Sequence, residues 1–467
     1  PATDYAASTG TSVVLVQGAS VDDTLELLVH DIFSVADSVS AKDGGTFSGT
    51  IAAAGYSSST AGTSNYIAGV NAGNSITAGG NFNVTVGDEA GTALTTGDGN
   101  VAVGFEALAT EDADGSNTAI GYRALKVLNA GAEGYNVAVG TDAGLSMTLG
   151  IQNTLVGNKA GDALTDADFN VAVGRSSLTS DTLGSKSTAV GHGTLNTQNF
   201  TSATDSFNTA VGYQAGAAVT TGASNTFVGA LAGDANTTGY ENTAVGEGSL
   251  SACTEGFENT AIGHNSGAAI TTGDNNTFVG NAAGQANTTA NGNTAVGNAA
   301  LASNTTGTNN VAVGRGALDA NTTADNNTAV GYNALAANTE GFSNTAFGSR
   351  AGDAITTGDY NTALGNLALS ADTTGAGSVA IGHAALATQN STDSADMYNT
   401  AVGREAGTGI TTGVRNSSVG HRTLASTTTG YYNTAIGYQA GDDITDGFRN
   451  ICIGHDADIS AGNNQHT

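Results

Sequence analysis

Five of the seven histidines, His192, His264, His383, His421 and His455, stand directly after a glycine. Imidazole is a common metal ligand, but a metal site needs several donors within a few ångströms. Even the nearest two, His421 and His455, are not close neighbours in the chain, and Arg175, Arg315 and Arg404 occupy the same post-glycine place. These histidines read as exposed turn residues. Cys253 and Cys452 make no disulfide framework and read as buried small hydrophobes. Acidic side chains are scattered over turns, among them Asp112, Asp114, Asp234, Asp353, Asp442 and Asp443. No carboxylate pair stands out for sugar hydrolysis, and the chain has no Trp to offer a sugar platform. No cofactor is implied, and the chain reads as a non-enzyme. Adjacent threonines such as Thr305-Thr306 invite an ice-binding reading, but a regular ice face wants alternate Thr on a strand, and these pairs adjoin a glycine turn. Aromatics cluster on one turn (Phe169, Phe207, Tyr240, Phe257, Phe342, Tyr398, Tyr431, Phe448), where they cover backbone or meet glycans.

What positions these residues is a repeat. The chain has 467 residues, 68 of them Gly and 1 Pro, and only 11% are charged. Lys plus Arg number 12 against 41 Asp plus Glu, a net charge of −29, which repels phosphates and argues against nucleic acid. No long apolar run suggests a membrane span. Pro1 in place of Met reads as a processed chain or a piece of a longer one. The string Asn-Thr-Ala-Val-Gly recurs, with variations, in 22 copies from Asn83. In 18 of the 21 intervals between its glycines the spacing is that of Gly280 to Gly297, a 17-residue period. One interval is 19 (Gly121 to Gly140) and two are 21 (Gly191 to Gly212, Gly382 to Gly403). The sequences around Gly191 and Gly382, where the two long intervals begin, are alike, so a block of eleven repeats reads as duplicated.

With the glycine as position zero, position −1 is aliphatic or Phe in all 22 copies, −2 is Ala in 16, and −4 is Asn in 20, with Ser187 and Ser378 the exceptions. Such a run reads as a short strand ending at a corner, one strand per coil of a parallel β-solenoid of about 22 coils. Alternation pairs −3 with −1 and −4 with −2. The aliphatic at −1 is expected to face the core, which leaves −2 outside. Stacked −4 residues are expected to form an Asn ladder: Asn100, Asn117, Asn225, Asn242, Asn259, Asn276, Asn293, Asn310, Asn327 and Asn344. The outer −2 column, with Ala295, Ala312, Ala329, Phe227 and Phe278, is the expected surface for a neighbouring chain, because so thin a core calls for burial between chains.

Position +4 is Leu in eleven copies and Gly in ten. Where it is Gly, +7 is usually large and apolar (Leu94, Met147, Ile270, Ile355); where it is Leu, +7 is usually polar (Glu111, Asp181, Asn304, Asp372). One large side chain from alternative places is volume conservation in a narrow interior. Leu125 with Leu128, Gly233 with Asn236 and Gly284 with Asn287 break the rule.

The motif Asn293-Thr-Ala-Val-Gly297 with Ala300 resembles the head repeat of trimeric autotransporter adhesins, left-handed parallel β-rolls bundled in threes, although those heads usually repeat at shorter spacing. Repeats such as Asn293–Gly307 are also similar to those in bacteriophage tail fibres, notably of marine hosts. Tyr5–Gly18 and Asp23–Ala36 read as two strands about an Ala19–Asp22 turn. They resemble the end of a small β module common in phage fibres, followed by a connector like Gly44–Ile51. The expected organisation is an incomplete β module (1–42), a connector (43–82), a β-solenoid (83–457) and a polar tail (458–467). The resemblance implies a left-handed, homotrimeric, extracellular tail-fibre shaft supporting host attachment. Its partners would be its own copies, other fibre segments, and a host glycan or protein receptor. The head of a bacterial adhesin is the alternative and an ice binder the third reading. Recognition is expected on the loops of the two 21-residue intervals, at Phe200, Asp205, Phe207, Asp393, Asp396 and Tyr398.

Overall fold

The structure, a computed structural model, describes residues 5–7, 13–15, 61–391 and 396–459. The chain divides into two units, Pro1–Ala52 and Ala53–Thr467. In the first, strand β1 (Tyr5–Ala7) pairs antiparallel with β2 (Val13–Leu15). Both strands therefore lie within the stretch read as one, Tyr5–Gly18, and Asp23–Ala36 falls outside the described residues.

The second unit is a parallel β-solenoid whose sheet has 23 strands, with no helix among the described residues. Each coil contributes one three-residue strand that pairs in register with the strands before and after it. Thr294, Ala295 and Val296, for example, lie beside Val311, Ala312 and Val313. The first strand is Tyr66–Ala68, paired with Val84–Val86, so one coil precedes the first legible copy and takes up part of the expected connector. The sequence signal is weak there because Tyr66, Ile67 and Ala68 put the small residue at −1, and the step from Gly69 to Gly87 is one longer than the usual period.

The corner glycine is required twice over. Gly297 has φ of +138°, and a Cβ built there would lie 2.6 Å from the Gly314 carbonyl oxygen of the next coil. Farther along, the chain enters the left-handed region at +4 whether the residue is Leu or Gly: Leu301 has φ of +54° and Leu335 +50°, while Gly284 has +56° and Gly352 +58°. Leu at this place costs about 1 kcal/mol of backbone strain but fills the interior. Gly relieves the strain and leaves a gap.

The alternation holds, but the faces are reversed. Position −2 is inside: Ala295, Ala312, Ala329, Phe227 and Phe278 are all fully buried within one chain. They cannot form an outer column between chains. Position −1 faces out, as at Val296 (37% exposed), Phe347 (54%) and Ile453 (65%). Most coils hold only Asn and Ala at the inner strand positions because their large interior side chain comes from +4 or +7.

Placing −2 inside also accounts for two exceptions to the volume rule. A Cβ on Gly233 would come 2.5 Å from the Phe227 ring, and one on Gly284 the same distance from Phe278. In those coils the large side chain comes from −2, which releases +7 to Asn236 and Asn287. Leu125 and Leu128 are both fully buried, and theirs is the coil of the long step from Gly121 to Gly140.

Candidate functional site

The asparagine column is buried and continuous. Asn310 is typical: its backbone N–H donates to Oδ1 of Asn293 (2.9 Å), its Oδ1 accepts from the N–H of Asn327 (3.0 Å), and its Nδ2 donates to the Ala324 carbonyl (2.8 Å). Asn100, Asn117, Asn225, Asn242, Asn259, Asn276, Asn293, Asn327 and Asn344 are equally buried. The main link is backbone N–H to side-chain oxygen, with amide-to-amide contacts only in places, such as Asn276 to Asn259 at 3.1 Å. Where Ser replaces Asn, a glutamine from the long interval substitutes. Gln198 Nε2 donates to the Ser187 hydroxyl (2.8 Å) and its Oε1 accepts from Asn208 (2.9 Å); Gln389 does the same for Ser378 (3.0 Å) and Asn399 (2.8 Å). A second inner ladder joins Asn304, Asn321 and Asn338, with Nδ2-to-Oδ1 distances of 2.8 and 3.0 Å.

The outward surfaces are columnar too. The sheet presents Thr or Val at −3, except at Tyr66, Ser417 and Ile451, and an aliphatic at −1, except at Ala68 and Phe347. On the aromatic turn, Tyr240 stacks on Phe257 and Tyr431 on Phe448, each pair with centroids 4.9 Å apart. At the next position, Arg415 lies between the rings of Tyr398 (5.7 Å) and Tyr432 (5.5 Å). The post-glycine column stacks Tyr438 between His421 (5.4 Å) and His455 (5.0 Å). His192, His264, His383 and His455 are exposed and His421 half-buried. Stacking rings on one another covers their faces and leaves their edges to solvent.

The two long intervals are partly woven into the coil. In the first, Thr204–Asp205 pairs parallel with Gly184–Ser185; at the equivalent place in the second, Asp396 bridges to Ala376. Phe200 is buried (6%), so it is not a recognition residue; its ring lies against Gly184. Asp205 binds Lys186 (2.6 Å), and the Lys186 ammonium sits 5.3 Å from the exposed Phe207 ring. Asp396 and Tyr398 are exposed, and the Tyr398 hydroxyl donates to Asp396 (3.0 Å), which holds the phenol protonated to higher pH. Asp393 lies outside the described residues.

Cys253 and Cys452 are buried and unbonded. Burial pushes the Cys253 thiol up to about 12 and raises Cys452 too, so neither is a thiolate nucleophile. No protein-family model matches the chain, and no curated protein matches it in sequence.

Proposed function

We propose that the chain is the shaft of a homotrimeric, phage-type fibre that supports host-surface attachment. The observation carrying this reading is the outward aliphatic column at −1. Monomers seldom expose a contiguous apolar strip of this extent. With 22 steps of about 4.8 Å between its 23 strands, the strip runs roughly 105 Å. A partner must match that pitch over that length, and a second copy of the chain supplies it. Three such sheets around one axis would cover the strip, contributing about 1 kcal/mol for each half-exposed aliphatic removed from water. The outer loops and ring columns would then be presented three times, and avidity strengthens individually weak contacts.

The test is sedimentation of the full chain, where a trimer is expected and a stable monomer at micromolar concentration overturns the reading. Flanking tail genes would favour a phage fibre, whereas an outer-membrane anchor in the same reading frame would favour a bacterial adhesin.

The ice-binding reading moves to a different face. The +8 threonines, such as Thr305 and Thr322, donate their hydroxyls to the next coil's carbonyl (3.0 and 3.1 Å), so half of each Thr pair is committed. The −3 threonines share the outer face of the sheet with −1. A monomer with thermal hysteresis would support that function, and a trimer that covers the sheet would exclude it.

A further inference from the structure

Three coils place a carboxylate at the interior +7 position: Glu111, Asp181 and Asp372, all fully buried. Two of them are fully provided for. Asp181 accepts from Gln198 Nε2 (2.5 Å) and from the N–H groups of Gly184 (3.0 Å) and Phe200 (3.1 Å). Asp372 accepts from Gln389 Nε2 (2.5 Å), Gly375 (2.9 Å) and Ser391 (3.2 Å). In both cases the donor amide comes from +7 of the following coil.

Glu111 has no such donor. The +7 residue of the following coil is Leu128 and that of the preceding coil is Leu94. One Glu111 oxygen accepts a long bond from the Asp114 N–H (3.3 Å); the Ala130 backbone N–H also acts on the carboxylate, but buried Oε2 has no partner in hydrogen-bond geometry. Carboxylate oxygens of Glu111, Asp112 and Asp114 lie within 4.8 Å of one another. A fourth carboxylate, Glu133 on the following coil, accepts from Ser116 beside them (2.9 Å). Among the described residues, none of the four has an ion pair, and the neighbouring Lys126 pairs with Glu106 (2.7 Å).

A buried carboxylate oxygen without a donor, next to two further carboxylates, is costly unless a cation compensates it. We propose that Glu111, Asp112 and Asp114 form a divalent-cation site, with calcium the ion that best suits three hard oxygen ligands of flexible geometry. Glu111 supplies the buried ligand, the two aspartates close the site from the turn, and water and carbonyl oxygens complete the shell. A second acidic group, Asp442, Asp443 and Asp458, has no buried oxygen lacking a partner and serves as the internal comparison.

The experiment uses the full chain, stripped with chelator and titrated with calcium chloride, read by calorimetry and thermal melting. The expected result is one equivalent bound per chain and a melting transition raised by several degrees. Glu111→Gln should weaken binding at least tenfold. Glu111→Asn, the residue that stands at +7 beside a +4 Leu at Asn304, Asn321 and Asn338, should fold and show little or no calcium response. No response in the parent chain overturns the proposal, as does a response that persists unchanged in both variants.

Discussion

Removing the Asn310 amide would leave the buried Asn327 N–H without its partner and take one of two donors from the Ala324 carbonyl, which Asn321 Nδ2 also meets (3.1 Å). An orphaned buried N–H costs about 1–3 kcal/mol. Asn310→Ala should therefore destabilise by roughly 1–3 kcal/mol, and Asn310→Asp by more at neutral pH, because the carboxylate would face the Ala324 oxygen. Chemical denaturation of the two variants checks the order. The column itself was legible as a recurring Asn; its bonding was not, because only the fold shows that the next coil's N–H points at Oδ1. Glu111 carries a second prediction at this scale. Its carboxyl is raised from the ordinary 4.5 to about 7, so the folded chain holds a proton there that the unfolded chain releases. Stability from this group is fully present below pH 4.5 and is lost as pH rises through about 7. The groups around it, Asp112, Asp114 and Glu133 on the polar side and Leu94 and Leu128 above and below, offer no positive charge to reverse that sign. In chelator, the parent chain should lose more stability between pH 5 and pH 8 than Glu111→Gln does. Asp234, Asp319 and Asp359 are also raised by burial, so the difference between parent and variant is the quantity to measure.

At the scale of one coil, the interior is a fixed volume filled from three places. A Cβ on Gly352 would lie 3.0 Å from both Ile355 Cδ1 and Leu335 Cδ2, so a +4 Leu and a +7 Ile compete for the same space. Ile355→Asn should destabilise by roughly 2–4 kcal/mol. Adding Gly352→Leu should recover much of it, since Leu335 and Leu369 already hold Leu at +4 with φ of +50° and +52°. A double variant that melts no later than the single one would show that the sites do not share volume. The third place is −2. Phe227→Ala should open a cavity between Gly216 and Gly233 and cost about 3–5 kcal/mol, with partial rescue by Asn236→Ile. The alternation between +4 and +7 was readable from the sequence. The reason Leu alternates with Gly, rather than with Ala or Val, lies in the left-handed backbone at +4. The coincidence of Phe227 with Asn236 and of Phe278 with Asn287 was visible in the sequence as well, and it marks −2 as interior. The larger aliphatic at −1 points the opposite way, because apolar size alone favours burial.

For the whole stack, that reversal moves the proposed contact between chains by one residue and makes the proposed trimer separable from the fold. Ala295 and Val296 are adjacent, yet Ala295 is fully buried inside the coil and Val296 lies on the outer strip. Ala295→Glu would force a carboxylate into a space sized for a methyl group, without a partner, and should unfold the coil whatever the state of assembly. Glu at −1 in successive coils, at Val245, Ile262, Val279 and Val296, leaves the interior untouched. If three strips meet around an axis, these variants set like charges against one another in a dry contact and should dissociate the assembly. The solenoid's parallel β spectrum should persist, unless the coil depends on its neighbours to stay folded. Sedimentation and circular dichroism together separate the outcomes. Monomers with native spectra would place the −1 strip between chains and show that one coil stack stands alone. Loss of both assembly and structure would mean that association stabilises the coil. An unchanged trimer would remove the strip from the interface and, with it, the argument from pitch that supports a fibre shaft.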